Sequence, residues 1–330
     1  MSSPQGGTWK ILVTGPPLCS EAMNLLKAKA EVITIPPYSP PEKIAKAANE
    51  QEIDALIVRM GKINREVLAA SPKLKVVVKH GIGVDNIDIS AATELGLPVL
   101  ITPEANFQSV AEHTVGLIFA VVKNLVHLDR RLRAGNWDKV RYEGKELYHK
   151  SLGLIGMGRI ARRVSELLAP LEMDMFAYDP YILDKDFPKK VRRMDSLPEL
   201  LSKADIVSIH CPLTEETYHL IGENELRMMK STAYLINTAR GGIVDEKALI
   251  HALKEGWIKG AALDTFEKEP PPLENPLWKQ TQNLVVTPHI GGATTESLTR
   301  MGIAAAEMAL SILEGKEINR KALVNPSVIQ

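Results

Sequence analysis

The chain has 330 residues, 45% of them apolar, enough for sizeable cores in two domains or one large one. Lysine plus arginine (40) balances aspartate plus glutamate (40), so a formal net charge of zero gives no electrostatic reason to expect nucleic acid or an anionic membrane as partner. The two cysteines, Cys19 and Cys211, sit in no metal-binding or C-x-x-C spacing, which argues against a disulfide framework or a metal site and for a reducing, cytoplasmic compartment.

The N-terminal MSSPQGGTWKILVTG has no charged leader before a long apolar region, so no signal peptide is expected. KILVTGPP reads as the first strand. A helix follows from Ser20 to Ala30, with Ser20 as its cap. EVITIPP is a strand and PEKIAKAANEQ a helix with proline in its first turn. DALIVRM, KVVVKHG and PVLITP are further strands, with helical NREVLAAS and ISAATELG between them. Their V/I/L runs are continuous and not alternating. Such strands are buried on both faces, as in a parallel sheet covered by helices on each side.

A long helix is expected from Ser109 to Ala134, with Ser109 and Glu112 forming a capping box and Gly135 ending it. Its middle, HTVGLIFAVV, is apolar nearly all round, which fits burial within a domain or at an interface. The run stops at Lys123 and is too short to span a bilayer. A second β-α series begins at Ser151. SLGLIGM, MDMFAYD, DIVSIHC, TAYLINTA, GAALDTF and NLVVTPHI are its strands. RIARRVSELLAPL, SLPELLSKA, ENELRMMK and DEKALIHALKEG are its helices. A last helix, ESLTRMGIAAAEMALSILEG, precedes a polar tail. The pattern predicts an α/β fold of two doubly wound parallel-sheet domains, Rossmann- or flavodoxin-like.

Gly156-Met-Gly158-Arg159-Ile160-Ala161 matches G-x-G-x-x-A. Alone the match is weak, but a strand precedes it, an amphipathic helix follows, and Asp179 ends the next strand. The glycines admit a pyrophosphate to the helix N-terminus. Asp179 can accept both hydroxyls of an adenosine ribose and repel a 2′-phosphate, which favours NAD over NADP. The other strand ends of the series add Cys211-Pro212, Thr238-Ala239-Arg240, Asp264 and His289 to the same edge, where doubly wound sheets bind ligands. An isolated His289 would read as a core histidine. Arg240, able to grip a carboxylate with two prongs, and Glu269, rigidly placed before three prolines, change that reading.

GLIGMGRIA, Asp179, INTARGGIVDEKAL, GAALDTFEKEP and TPHIGGAT, in this order and spacing, closely resemble the D-isomer-specific 2-hydroxyacid dehydrogenases. KHGIGVDNID and SVAEHTVGL extend the resemblance, which covers about Lys10 to Gly315. It implies an NAD-dependent oxidoreductase acting on C2 of a small 2-hydroxy or 2-oxo acid. Arg240 would hold the substrate carboxylate and 2-oxygen, His289 would be the acid-base and Glu269 its partner. Asp264 and the Thr238-Ala239 backbone would face the nicotinamide half. Gly156, Gly158, Arg159, Ile160, Asp179, Cys211, Pro212, Thr217, Gly291 and Gly292 would complete the cofactor site. Arg59, Met60 and the amides of Gly81, Ile82 and Gly83 would meet the substrate. The resemblance also implies a discontinuous substrate-binding domain, residues 1–107 with 295–330, an NAD-binding domain over 108–294, and a homodimer with the long helix near the contact.

Within the family, HGIGVDNID and ARGGIVDE look most like the 3-phosphoglycerate dehydrogenases. Met60 departs from the small polar residue usual there, and a thioether offers no donor to a phosphate. Arg59, Lys62 and Arg141 are the candidate phosphate ligands. Glyoxylate, hydroxypyruvate or another small 2-oxo acid is the alternative substrate. A transcriptional corepressor that binds nucleotide uses the same fold; joint presence of Arg240, Glu269 and His289 favours the enzyme.

Overall fold

The computed structural model describes residues 8–279 and 283–329; the leader expectation, at residues 1–7, lies outside them. The chain forms two compact units, Met1–Asn106 with Ala293–Gln330, and Phe107–Gly292. In the first, the apolar runs become β1 (Trp9–Thr14), β2 (Ala30–Ile35), β3 (Ala55–Val58), β4 (Val76–Lys79) and β5 (Val99–Leu100). They pair in parallel in the order β2-β1-β3-β4-β5, the flavodoxin-like winding. The runs are continuous because both faces are covered. Ile11, Val13, Ile57 and Val78 pack under Ala305, Ala306, Ala309 and Leu310 of the helix Thr295–Leu313. Leu12, Leu56, Val58 and Val77 pack under Ile44 and Val67 on the other side. Ser20 is the first residue of the helix Ser20–Lys27 and not its cap; Cys19 holds that position without a side-chain hydrogen bond.

This unit buries an ionisable group, His80, which is 9% exposed. Burial, helped by the positive charges of Arg59 and Lys79, pushes its imidazole down from 6.5 to about 4. The unfolded chain therefore binds a proton in that window which the folded chain refuses. Stability from this group is present above pH 6.5 and is lost as pH falls toward 4, by about 3 kcal/mol. In urea unfolding at a series of pH values, His80→Leu should flatten this stretch of the stability curve. An unchanged slope would mean that His80 is not held neutral.

The second unit contains β6 (Ser151–Ile155), β7 (Asp174–Tyr178), β8 (Arg192–Arg193), β9 (Ile206–Ile209), β10 (Tyr234–Asn237), β11 (Gly260–Leu263) and β12 (Leu284–Val286). All pair in parallel, in the order β12-β11-β10-β9-β6-β7-β8. Winding reverses between β6 and β9, which makes the Gly156 turn the switch point. The two-residue β8 was not foreseen, since RR carries no apolar signal.

The single long helix expected from Ser109 to Ala134 is two helices, Phe107–Val122 and Leu125–Arg133, bent by 59°. Asn124 makes the break. It adopts φ 54°, a left-handed conformation that asparagine tolerates and a helix interior does not. Ser109 is no cap either, because it lies buried inside the first of these helices. That helix packs on β10, β11 and β12, so its apolar girth serves this unit's own core. Among the described residues no single helix is long and apolar enough to cross a membrane.

Candidate active site

Six strands of the second unit end on one edge, and their loops hold the residues singled out above. After β6, Gly156 turns with φ 89°, and a side chain there would meet the backbone of His210 and Cys211 at 2.9–3.1 Å. Only glycine lets the ends of β6 and β9 touch. At Gly158, by contrast, a Cβ would meet nothing within 4 Å. Gly158 is the N-cap of the helix Arg159–Leu168 and supplies no side-chain hydrogen bond there, and a helix N-terminus suits an anion. Asp179 reaches back to this turn. Its Oδ2 accepts from the Met157 amide at 2.8 Å and its Oδ1 from the Tyr181 amide at 2.9 Å. Lone pairs remain on both oxygens for ribose hydroxyls. The cradle and the acid together fit NAD.

At the end of β9, burial pushes the Cys211 thiol up to about 11, so it stays protonated at neutral pH and is no nucleophile. Thr217 folds its hydroxyl onto the Pro212 carbonyl at 2.7 Å and accepts from the Thr214 amide at 2.7 Å, tying this loop to itself. At the end of β10, the buried Asn237 braces the arginine turn: its Oδ1 accepts from the Ala239 amide (3.0 Å) and its Nδ2 donates to the Arg240 carbonyl (2.8 Å). Arg240 donates from Nη1 to the Ala239 carbonyl at 2.7 Å. Thr238 meets Thr114 hydroxyl to hydroxyl at 2.8 Å. Thr114 spends its proton on the Val110 carbonyl, so Thr238 donates.

His289 Nδ1 stands 2.6 Å from Glu269 Oε2, and Glu269 Oε1 accepts from the Phe266 amide at 3.0 Å. A carboxylate accepts only, so Nδ1 carries the proton and Nε2 offers the lone pair. The His289 side chain is 46% exposed, unlike a core histidine. Its backbone sits at φ 53°, a left-handed conformation that costs on the order of 1 kcal/mol and persists only where surroundings impose it. Those surroundings centre on Asp264, which is 1% exposed. Its Oδ1 accepts from Thr287 Oγ1 (2.6 Å) and the Ile290 amide (2.9 Å), and its Oδ2 from the Gly291 amide (2.8 Å). Burial would raise this carboxyl, but the hydrogen bonds from His113, Thr287, Ile290 and Gly291 outweigh it and hold the group below the usual carboxylate range. Both Asp264 oxygens therefore serve the His289 loop.

The residues from 115 to 291 match the family model described as D-isomer specific 2-hydroxyacid dehydrogenase, NAD binding domain.

The chain belongs to this family.

It is 41% identical over 328 residues to a D-3-phosphoglycerate dehydrogenase of Methanocaldococcus jannaschii, covering 97% of this chain and 60% of that one. It is 45% identical over 300 residues to a glyoxylate reductase of Thermofilum pendens, covering 88% and 87% respectively. The solved TT0316 protein of Thermus thermophilus superposes with a TM-score of 0.87 at 34% identity, over 96% of this chain and 99% of that one. As a member of this family, the chain carries an NAD-binding domain, and His289, Glu269, Asp264, Arg240, Asp179 and the Gly156 turn all lie in that domain's unit. Asn237, Thr114, His113 and Thr287 brace these residues and were not foreseen.

Of the remaining residues singled out from the sequence, Arg59, Met60, Lys62, Gly81, Ile82 and Gly83 lie in the first unit and Arg141 lies in the second. Arg59 donates from Nη1 to the carbonyls of Pro16 (2.6 Å) and Pro17 (2.7 Å). Met60 packs beside Gly15, where a Cβ would stand 3.7 Å from its Cγ and sulfur. The Gly81 amide is engaged by Thr102 Oγ1 and the Lys79 carbonyl, each at 3.0 Å, while Ile82 and Gly83 lie half-buried in the turn after β4.

Proposed function

We propose that the protein is an NAD-dependent dehydrogenase of a small 2-hydroxy acid, of the 3-phosphoglycerate dehydrogenase type. The observation that carries this reading is the 2.6 Å pair of His289 and Glu269, which leaves one imidazole nitrogen as a partly exposed base. In oxidation Nε2 takes the proton of the 2-hydroxyl; in reduction it returns one to the 2-oxygen. NAD, when bound, supplies the hydride chemistry. Arg240 steadies the oxygen on which charge develops and holds the carboxylate. Asp179 selects NAD by accepting from the ribose and repelling a 2′-phosphate.

One observation favours the second reading, an enzyme of unphosphorylated acids such as glyoxylate or hydroxypyruvate. Arg59 spends Nη1 on two backbone carbonyls, and the Met60 thioether beside it offers a phosphate nothing. The deciding assay follows NADH formation with 3-phospho-D-glycerate beside D-glycerate, D-lactate and their L-isomers, with NAD and NADP in parallel. Strong NAD-linked turnover of the phosphorylated acid supports the first reading, and turnover of unphosphorylated acids alone replaces it with the second. Intact NADH binding with no turnover on any acid would favour a nucleotide-binding corepressor.

A cytoplasmic homodimer completes the proposal. Cys19 and Cys211 are both free thiols, which suits a reducing compartment. The segment from 125 to 142 exposes Leu125, Val126, Leu132, Trp137, Val140 and Tyr142, a density of large apolar side chains that a partner's surface would cover. Light scattering should give twice the 36.3 kDa of one chain.

A further inference from the structure

The helix Phe107–Val122 places one titratable side chain, His113, against the loop that bears His289. His113 Nε2 lies 3.0 Å from Thr287 Oγ1 and 3.4 Å from Asp264 Oδ1. Thr287 has a single hydroxyl proton, and it points to Asp264 Oδ1, which can only accept. Thr287 must therefore accept from His113, and His113 must carry its proton on Nε2. Hydrogen bonds then run in one direction, from His113 through Thr287 to Asp264. On the far side Asp264 takes the amides of Ile290 and Gly291, the two residues that follow His289. The fit is close. A Cβ on Gly291 would lie 3.0 Å from Asp264 Oδ2 and 3.4 Å from His113 Cδ2, so the loop rests directly on both side chains.

We propose that His113 is a positioning residue for the acid-base: through Thr287 and by its own contact it fixes the carboxylate of Asp264, whose two oxygens hold the loop that aims His289. The chemistry behind this is geometric. An Asp264 carboxylate free to rotate would offer its oxygens to one loop amide at a time. The His289 backbone, at φ 53°, would then relax toward an ordinary conformation and carry the imidazole off line. His113 acts on His289 through its neighbours, Thr287 and Asp264. The inference deepens the dehydrogenase reading and rests on it for its catalytic meaning.

Two measurements test it. In protein labelled with 15N-histidine, two-bond correlation spectra at pH 8 should show His113 protonated on Nε2. The same spectra of His113→Phe and Thr287→Val should show displaced His289 ring signals. A proton on Nδ1 of His113, or His289 signals unmoved by either change, would overturn the proposal. In turnover, each of the two variants should lose about tenfold in kcat, with KM changed less than twofold and NADH affinity kept. The double variant should lose less than the product of the two single losses, because His113 and Thr287 act on the same Asp264 carboxylate. His113→Gln, which keeps an N–H donor at similar reach, should recover most of the rate. Losses that multiply in the double variant, or that appear only in melting temperature, would also overturn it. The spectra require no turnover. A chain without dehydrogenase activity but with the His289 shifts would reject the proposed function and keep the relay. A chain with wild-type turnover in every variant would reject the relay and keep the function.

Discussion

Replacing His289 with glutamine is expected to lower kcat about a thousandfold, with NADH affinity within about twofold of the original. Glutamine reaches as far as imidazole and can donate its amide to Glu269 Oε2, so the loop geometry should survive. What it lacks is a ring nitrogen that takes and returns a proton. The loss therefore measures proton transfer rather than folding. Steady-state kinetics in both directions and NADH fluorescence titration on the same preparation separate the two. Turnover within a few-fold of the unmodified protein would sink the proton-carrier assignment. A loss of NADH affinity as large as the loss of rate would recast His289 as part of the cofactor wall.

His289 also shows where reading a sequence works and where it stops. Three histidines close strands here. His80 and His210 follow β4 and β9; His289 follows β12 by three residues. Burial pushes the first two down, to about 4 and about 3; His80 is a core histidine, while His210 is partly exposed and pairs with Ser208. His289 stands out only because Glu269, 20 residues before it, lies at the same sheet edge. Continuous V/I/L runs made the strands legible, since a buried strand needs no alternation. Parallel winding then sends successive strand ends to one edge, and this is why Gly156, Asp179, Arg240, Asp264 and His289 could be grouped without coordinates. The braces could not be found the same way. Thr114 meets Thr238 across 124 residues and His113 meets Thr287 across 174, and no spacing rule relates such pairs. The helix break failed for a different reason. Apolar periodicity runs straight through Val121-Val122 to Leu125-Val126, and only the left-handed backbone of Asn124 ends it.

The second large effect is expected at Gly241, directly after Arg240. A Cβ there would lie 1.8 Å from the carbonyl carbon of Phe266 and 2.1 Å from its oxygen, inside any allowed contact. Both parties are backbone, so no rotamer change relieves the overlap. The loops after β10 and β11 must separate, and what they carry decides the consequence. The β10 loop holds Arg240, braced by Asn237. The β11 loop holds Phe266, whose amide is bound to Glu269 Oε1, and Glu269 in turn holds His289. Gly241→Ala should therefore destabilise the fold by about 3 kcal/mol and draw the arginine away from the Glu269–His289 pair. Soluble protein should show a lowered melting temperature and at least a hundredfold loss in kcat/KM, with NADH affinity affected far less, because the Gly156 turn and Asp179 lie on other strands. Failure to accumulate as folded protein would agree with the overlap. Normal melting and normal turnover would show that the two loops are not in backbone contact, and would remove the steric link between Arg240 and the Glu269–His289 pair.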